Sequence, residues 1–291
     1  MEKYYFICHA GLGDRLEATG IMRALKQLGL EIEILWPQDS KHFPTPFEKL
    51  FRPQKDVNTN RLRSHVKFYR KRLNSFKVFS AKDITKSMVR KEYPETIMNS
   101  VRDYGIKNFQ HLCAKKLNEL EPLIGIKNEI DNFRKKHFTE NMVGLHIRGT
   151  DKVDRYNDGK FGGPEKYKII INELHQEIVK EIHNNKKFFL CSDNAASIKK
   201  YTDYITDRGG DVVTYKSEYN KAYFRQTSGR NALIDMLLLS KCELTLGIRS
   251  YFRFMASYIF GNNARFWNGN SVDLMPGFIE QKYIKSLEYL D

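Results

Sequence analysis

Between residues 143 and 152 the chain reads VGLHIRGTDK, an apolar run that releases a histidine, an arginine, an aspartate and a lysine in quick succession. Strand alternation puts His146 and Arg148 on one face, with Asp151 and Lys152 in the loop that follows. That set suits a phosphate-bearing ligand. A guanidinium holds phosphate through paired, charge-assisted hydrogen bonds, and open α/β sheets bind ligands at the carboxyl ends of their strands. Three further clusters fall at strand ends. Gly11, Gly13 and Asp14 follow the first strand, and Ser192, Asp193 and Asn194 follow a later one. Arg249, Ser250 and Tyr251 follow Gly247 at the start of a helix, where backbone N–H groups and the Ser250 hydroxyl can meet an anion. Singly, each has a structural account: Ser192 and Asp193 as helix caps, Ser250 as an N-cap, the two glycines as close turn packing. Together they point to a nucleotide diphosphate held between two α/β domains.

The elements that must position these residues are legible from periodicity. The first half opens with a strand at 3–8, a glycine turn, a helix over 15–28 closed by Gly29, and a strand at 31–36. This is a β-turn-α-β unit, although its Gly-x-Gly lacks the third glycine of a dinucleotide fingerprint. Helices are expected at 96–103 and 108–120. The second half alternates more plainly. Strands at 143–147, 188–192, 211–215, 243–246 and 264–267 are separated by helices at 165–183, 196–204, 230–241 and 250–260, which predicts a parallel sheet covered on both faces. A last helix is expected at 277–290. The polar run 134–140 places the domain boundary near Asn141, giving Rossmann-like domains 1–140 and 141–291.

Length and composition agree with this. The 291 residues are 41% apolar, enough for two real cores, and no run of 18 apolar residues appears. With no apolar leader at its start, the chain reads as cytoplasmic. The four cysteines (Cys8, Cys113, Cys191, Cys242) share no metal-ligand spacing, and three lie in or beside apolar strand-like runs, as a small hydrophobe would. The net charge of +14 is concentrated: 13 lysines and arginines stand against two acids between Arg52 and Lys91. Within that stretch 61–73 has helical spacing of apolar residues, with Lys67, Arg70 and Lys71 around them. A basic amphipathic helix of this kind lies on an anionic surface or partner, or packs on its own domain with a solvated basic face. No nucleic-acid-binding motif accompanies the charge, so no nucleic-acid partner is expected.

The motifs carry a family resemblance. VGLHIRGTDKV at 143–153 resembles the first motif of the α1,6-fucosyltransferases, the group that includes nodulation-factor and core N-glycan enzymes, which read VGxHxRRTDKV there. FLCSDN at 189–194 is similar to their second motif. RNALID at 230–235, followed by Leu238, Ser240, Cys242 and the 247–250 turn, resembles their third. The resemblance covers residues 110–260 in order and spacing. It implies a GT-B glycosyltransferase, two Rossmann-like domains facing each other across a donor cleft. Such an enzyme inverts the anomeric centre, takes fucose from GDP-fucose and needs no cofactor or metal. Arg148 then matches the arginine that holds the β-phosphate, His146 and Asp235 match positions contacting guanine, Asp193 and Asn194 match the acidic pair, and Ser250 and Tyr251 fall at the serine pair near the phosphate. Two positions depart. Gly149 stands where the family has a second arginine, a loss that Arg249 is expected to make good. Tyr156 stands where the family has an acid, so Asp154 or Asp158 must serve.

The chemistry agrees with that implication. Sugar transfer passes through an oxocarbenium-like state while charge grows on the leaving phosphate. Without a metal, Arg148 and a helix N-terminus must carry that charge, and Asp151 or Asp154 lies within loop reach of an acceptor hydroxyl, with Lys152 between them. The expected partners are a nucleotide sugar and a glycan or lipid-linked acceptor, with the basic segment 52–91 as a peripheral membrane or anionic-acceptor contact. Two alternatives stand beside this reading. The opening glycine turn with Ala24, Leu25 and Lys26 also resembles transferases of ADP-heptose type, against which Asp235 discriminates because adenine offers no paired N–H donors. A non-enzymatic basic module acting through 52–91 is the other.

Overall fold

The first strand, Lys3–Ile7 (β1), runs parallel to Glu31–Leu35 (β2), and alternation along β2 buries Ile32 and Ile34 while Glu31 faces solvent. These come from a computed structural model that describes residues 3–8, 11–37, 43–58, 78–80, 100, 103–150, 157–159, 163–215, 219, 226–248, 250, 252–253, 255–256, 265–267 and 272–274. The described residues form two compact units, drawn from 1–123 and 124–275. Expected features at 61–73 (with Lys67, Arg70 and Lys71) and 277–290 lie outside them, as does most of the helices expected at 96–103 and 250–260.

In the first unit the sheet is β3-β2-β1-β4, all parallel, with the short strands Val57–Asn58 (β3) and Val78–Ser80 (β4) on either side. Neither was expected inside the basic stretch. Helix α1, Leu12–Gln27, starts three residues before its expected position. Gly11 is its N-cap, and its N–H donates to the Asp14 carboxylate across 3.2 Å, so Gly13 and Asp14 sit in the first helical turn rather than in a preceding loop. Helix α2, Ile106–Asn118, packs closely on α1. A Cβ on Gly20 would fall 2.4 Å from Leu117 Cγ, so the glycine sets that approach.

The second unit has sheet order β10-β9-β8-β5-β6-β7, built from Val143–Ile147 (β5), Lys187–Ser192 (β6), Asp211–Thr214 (β7), Leu244–Gly247 (β8), Arg265–Trp267 (β9) and Val272–Leu274 (β10). The first five are parallel as expected. β10 closes the edge antiparallel to β9, which the alternation did not reveal. Helices α4 (Gly163–His183) and α5 (Ala195–Thr206) bury Leu174, Ile178, Tyr201 and Ile205 against Val143, Leu145, Phe188, Leu190 and Leu246 on one sheet face. The opposite face carries Gly144, His146, Phe189 and Cys191. There α6 (Gly229–Leu239) brings Leu239 against Gly144, and α3 (Ile124–His137) sets Phe133 edge-on to Phe189. Helix α3 precedes the break expected at Asn141 yet packs with this unit. Its Glu129 accepts from Tyr215 and Arg230; the Arg230 hydrogen bond holds the carboxyl below its usual range, while burial and Glu129 push Tyr215 up to about 12. All four cysteines are free and buried. No helix among the described residues is long and apolar enough to cross a membrane.

Candidate active site

Strand β5 is the hinge of the second sheet. It pairs with β6 on one side and with β8, three strands later in sequence, on the other, so the strand order reverses direction between β5 and β8. That is a topological switch point, where a crevice opens beyond the carboxyl ends. His146 pairs with Gly247 there and with Cys191 on the other side. Only glycine fits at 247. Its φ is +137°, and a Cβ would stand 2.1 Å from the His146 carbonyl oxygen.

The His146 side chain is buried, and its ring stacks on Phe252 with centroids 4.7 Å apart and 21° between planes. Phe252 was not anticipated, although it lies two residues beyond Ser250 in a motif already singled out. Asp235 lies on α6, the helix that brings Leu239 against Gly144. Cys191, the partner of His146 across β5 and β6, feels it: burial raises the thiol's pKa well above the usual value, and the nearby charges of Asp235, Cys242 and Asp193 raise it further.

Arg148 leaves the end of β5 and turns toward the end of β6. Its Nε stands 3.1 Å from Asp193 Oδ2, with both side chains at most 10% exposed. The same carboxylate accepts from the Gly149 N–H at 2.8 Å and from the Thr150 hydroxyl at 2.5 Å. One aspartate thus takes a donor from each of three successive residues, which engages three of its roughly four acceptor sites with the 148–150 loop. Asn194 is the N-cap of α5, accepting from Ser197 N–H at 2.7 Å, and Ser192 Oγ accepts from the Asn194 N–H. The cap is thus Asn194, one position later than the sequence suggested. Gly149 lies directly over it: a Cβ at 149 would fall 2.1 Å from Ser197 Oγ and 2.4 Å from Asn194 Nδ2. A second arginine, as in the motif, would have to displace the Ser197 hydroxyl and the capping Asn194 side chain.

Ser250 Oγ accepts from the N–H groups of Phe252 and Arg253 at 3.2 and 3.5 Å, so it caps the turn opened after β8. Behind it Arg253 is fully buried, its Nη1 donating to the Thr245 carbonyl at 3.1 Å, and burial draws its pKa down to about 9. In the first unit Gly11, Gly13 and Asp14 stand together at the start of α1. Arg15, missed in the sequence, is fully buried there; its guanidinium lies 5.0 Å from Trp36 and 5.3 Å from Phe43 and donates to the Pro37 carbonyl. Asp151, Lys152, Asp154, Arg249 and Tyr251 lie outside the described residues. Asp158 lies within them, in the turn after 157.

Two α/β units with parallel sheets, the second with a glycine-bearing, arginine-ended switch point, give the chain a fold of GT-B type. Solved structures give that class a particular likeness. The fucosyltransferase NodZ from Bradyrhizobium matches over 93% of this chain and 96% of its own, at 17% identity and a TM-score of 0.51. NodZ α1,6-fucosyltransferase crystals grown with GDP match over 92% and 95%, at 16% identity and 0.51. Those soaked with GDP-fucose match over the same shares, at 17% identity and 0.51. The fold of this chain is therefore that of the GT-B fucosyltransferases. No protein-family profile and no curated protein sequence matches it.

Proposed function

We propose that the protein is an inverting, metal-independent glycosyltransferase that moves fucose from GDP-fucose to a glycan or lipid-linked oligosaccharide in the cytoplasm. The observation that carries this reading is Arg148, fixed by Asp193 at the carboxyl end of β5 beside the switch point, with His146 buried one step inside it. Guanine presents N1–H and N2–H₂ to a carboxylate, which Asp235 supplies. NodZ, which shares the fold, is described bound to GDP. In the reaction the acceptor oxygen forms a bond to the anomeric carbon as the bond from that carbon to the phosphate oxygen breaks, and the electron pair leaves with GDP. Arg148 and the capped turn at Ser250 stabilise the charge arriving on the phosphate, and a carboxylate of the 151–158 loop takes the acceptor proton. Arg249 supplies the second cation that Gly149 cannot. The basic segment 52–91 approaches an anionic acceptor or the membrane that carries it.

A nucleotide panel tests the reading. GDP is expected to raise the melting temperature more than UDP or ADP at equal concentration, since a ligand at about 100 times its Kd adds roughly 2.7 kcal/mol to the native state. Equal shifts from all three would remove the guanine assignment, and a shift with ADP alone would favour the heptose-type alternative. Transfer is expected to continue undiminished in EDTA. Complete loss, restored by a divalent ion, would sink the metal-independent mechanism.

A further inference from the structure

Asp193 does not look outward. Its carboxylate is buried, and three donors from consecutive residues converge on it: Arg148 Nε, the Gly149 N–H and the Thr150 hydroxyl. Its own backbone carbonyl accepts from the Gln226 N–H at 3.2 Å, which ties the approach to α6 to the same turn. Behind it, Asn194 and Ser192 are engaged in holding the start of α5. A carboxylate this occupied is poorly placed to meet a sugar or take a proton. It is well placed to fix a guanidinium whose orientation decides where its charge falls.

We propose that Asp193 is a positioning residue that acts on the donor only through Arg148, clamping the 148–150 loop so that the guanidinium is aimed before the nucleotide arrives. This rests on Arg148 being the phosphate-holding cation. The clamp matters more in this chain than a lone ion pair would. Gly149 contributes no cation, so within the 148–150 loop the charge offered to phosphate is that of Arg148 alone, and Asn194 and Ser197 crowd the position where a second would stand. Buried and paired through Nε with Asp193, the Arg148 side chain loses little further freedom on meeting phosphate, which favours the transition state over a loosely held ground state.

Two readouts on the full-length protein test this. The first needs no ligand. In ¹⁵N-arginine spectra the Arg148 Nε–H, identified by its loss in Arg148→Lys, is expected to exchange slowly in the wild type and rapidly in Asp193→Asn. An Nε–H indifferent to Asp193→Asn would overturn the clamp. The second is a double-mutant cycle on transfer. Asp193→Asn is expected to lower kcat by about 10- to 100-fold, less than loss of the cation itself, with KM for GDP-fucose within about twofold. In the Arg148→Ala background Asp193→Asn should add nothing, because the residue it serves is gone. A further loss in that background would show that Asp193 touches the donor itself or only supports the fold, and would overturn the proposal. Thr150→Val covers the case in which Asp193 variants fail to fold. It removes one donor while keeping the charge, and is expected to reduce kcat severalfold in the wild type and not at all beside Arg148→Ala. The reading of Arg148 fails separately, through a wild type that binds neither GDP nor GDP-fucose.

Discussion

Arg148→Ala is expected to leave only residual transfer, with kcat falling by about 10²- to 10³-fold, the usual cost of deleting one preorganised donor from the developing charge. Stability should change much less. Truncating one partner of a buried pair typically costs about 3–5 kcal/mol, because the remaining charge is stranded. Here Asp193 keeps the Gly149 N–H and the Thr150 hydroxyl, so the penalty should stay near the roughly 1.5–3 kcal/mol of one charged hydrogen bond. Arg249→Ala should cost about 10- to 100-fold if Arg249 supplies the second cation. The measurements are steady-state kinetics with GDP-fucose alongside thermal unfolding. A variant turning over within threefold or so of wild type would take the phosphate away from Arg148, and a silent Arg249→Ala would leave Gly149 uncompensated.

Gly247→Ala is expected to be the most damaging single change to folding. The backbone at 247 has φ +137°, a conformation only glycine adopts without strain, and the added methyl would stand 2.1 Å from a carbonyl oxygen rather than from a side chain able to move away. Strain of about 1–3 kcal/mol adds to a backbone collision, so the loss should reach roughly 4 kcal/mol or more. Since β8 pairs with β5 at this point, the variant that survives should also bind GDP poorly. A melting temperature close to wild type would mean that β5 and β8 separate earlier than His146, and would weaken the switch-point account of the site.

Much of the second unit could be read from residue order alone. Strand β5 occurs at its expected limits because both its faces are buried, which makes a short uninterrupted apolar run between polar neighbours. Helix α3 escaped notice for the converse reason. Among its residues Ile126 and Ile130 are the buried ones, and the lysines of its last turn read as a domain linker. β3, β4 and β10 have two or three residues each, too few for any period to show. At the site, the identities of His146, Arg148, Asp193 and Asp235 were visible, but their division of labour was not. Nothing local to Asp193 announces that β5–β6 pairing delivers three donors to it from more than forty positions away. Phe252 and Arg15 likewise act through contacts that only the folded chain creates.

The seat of Gly149 on the start of α5 also bears on how the site can be redesigned. A side chain at 149 must first move the Ser197 hydroxyl and the cap residue Asn194, whose Oδ1 holds the Ser197 N–H. A cation added at 149 alone would trade the helix cap for charge. The engineering route to a stronger phosphate grip therefore starts at position 197, with a smaller residue there, and only then adds charge to the loop.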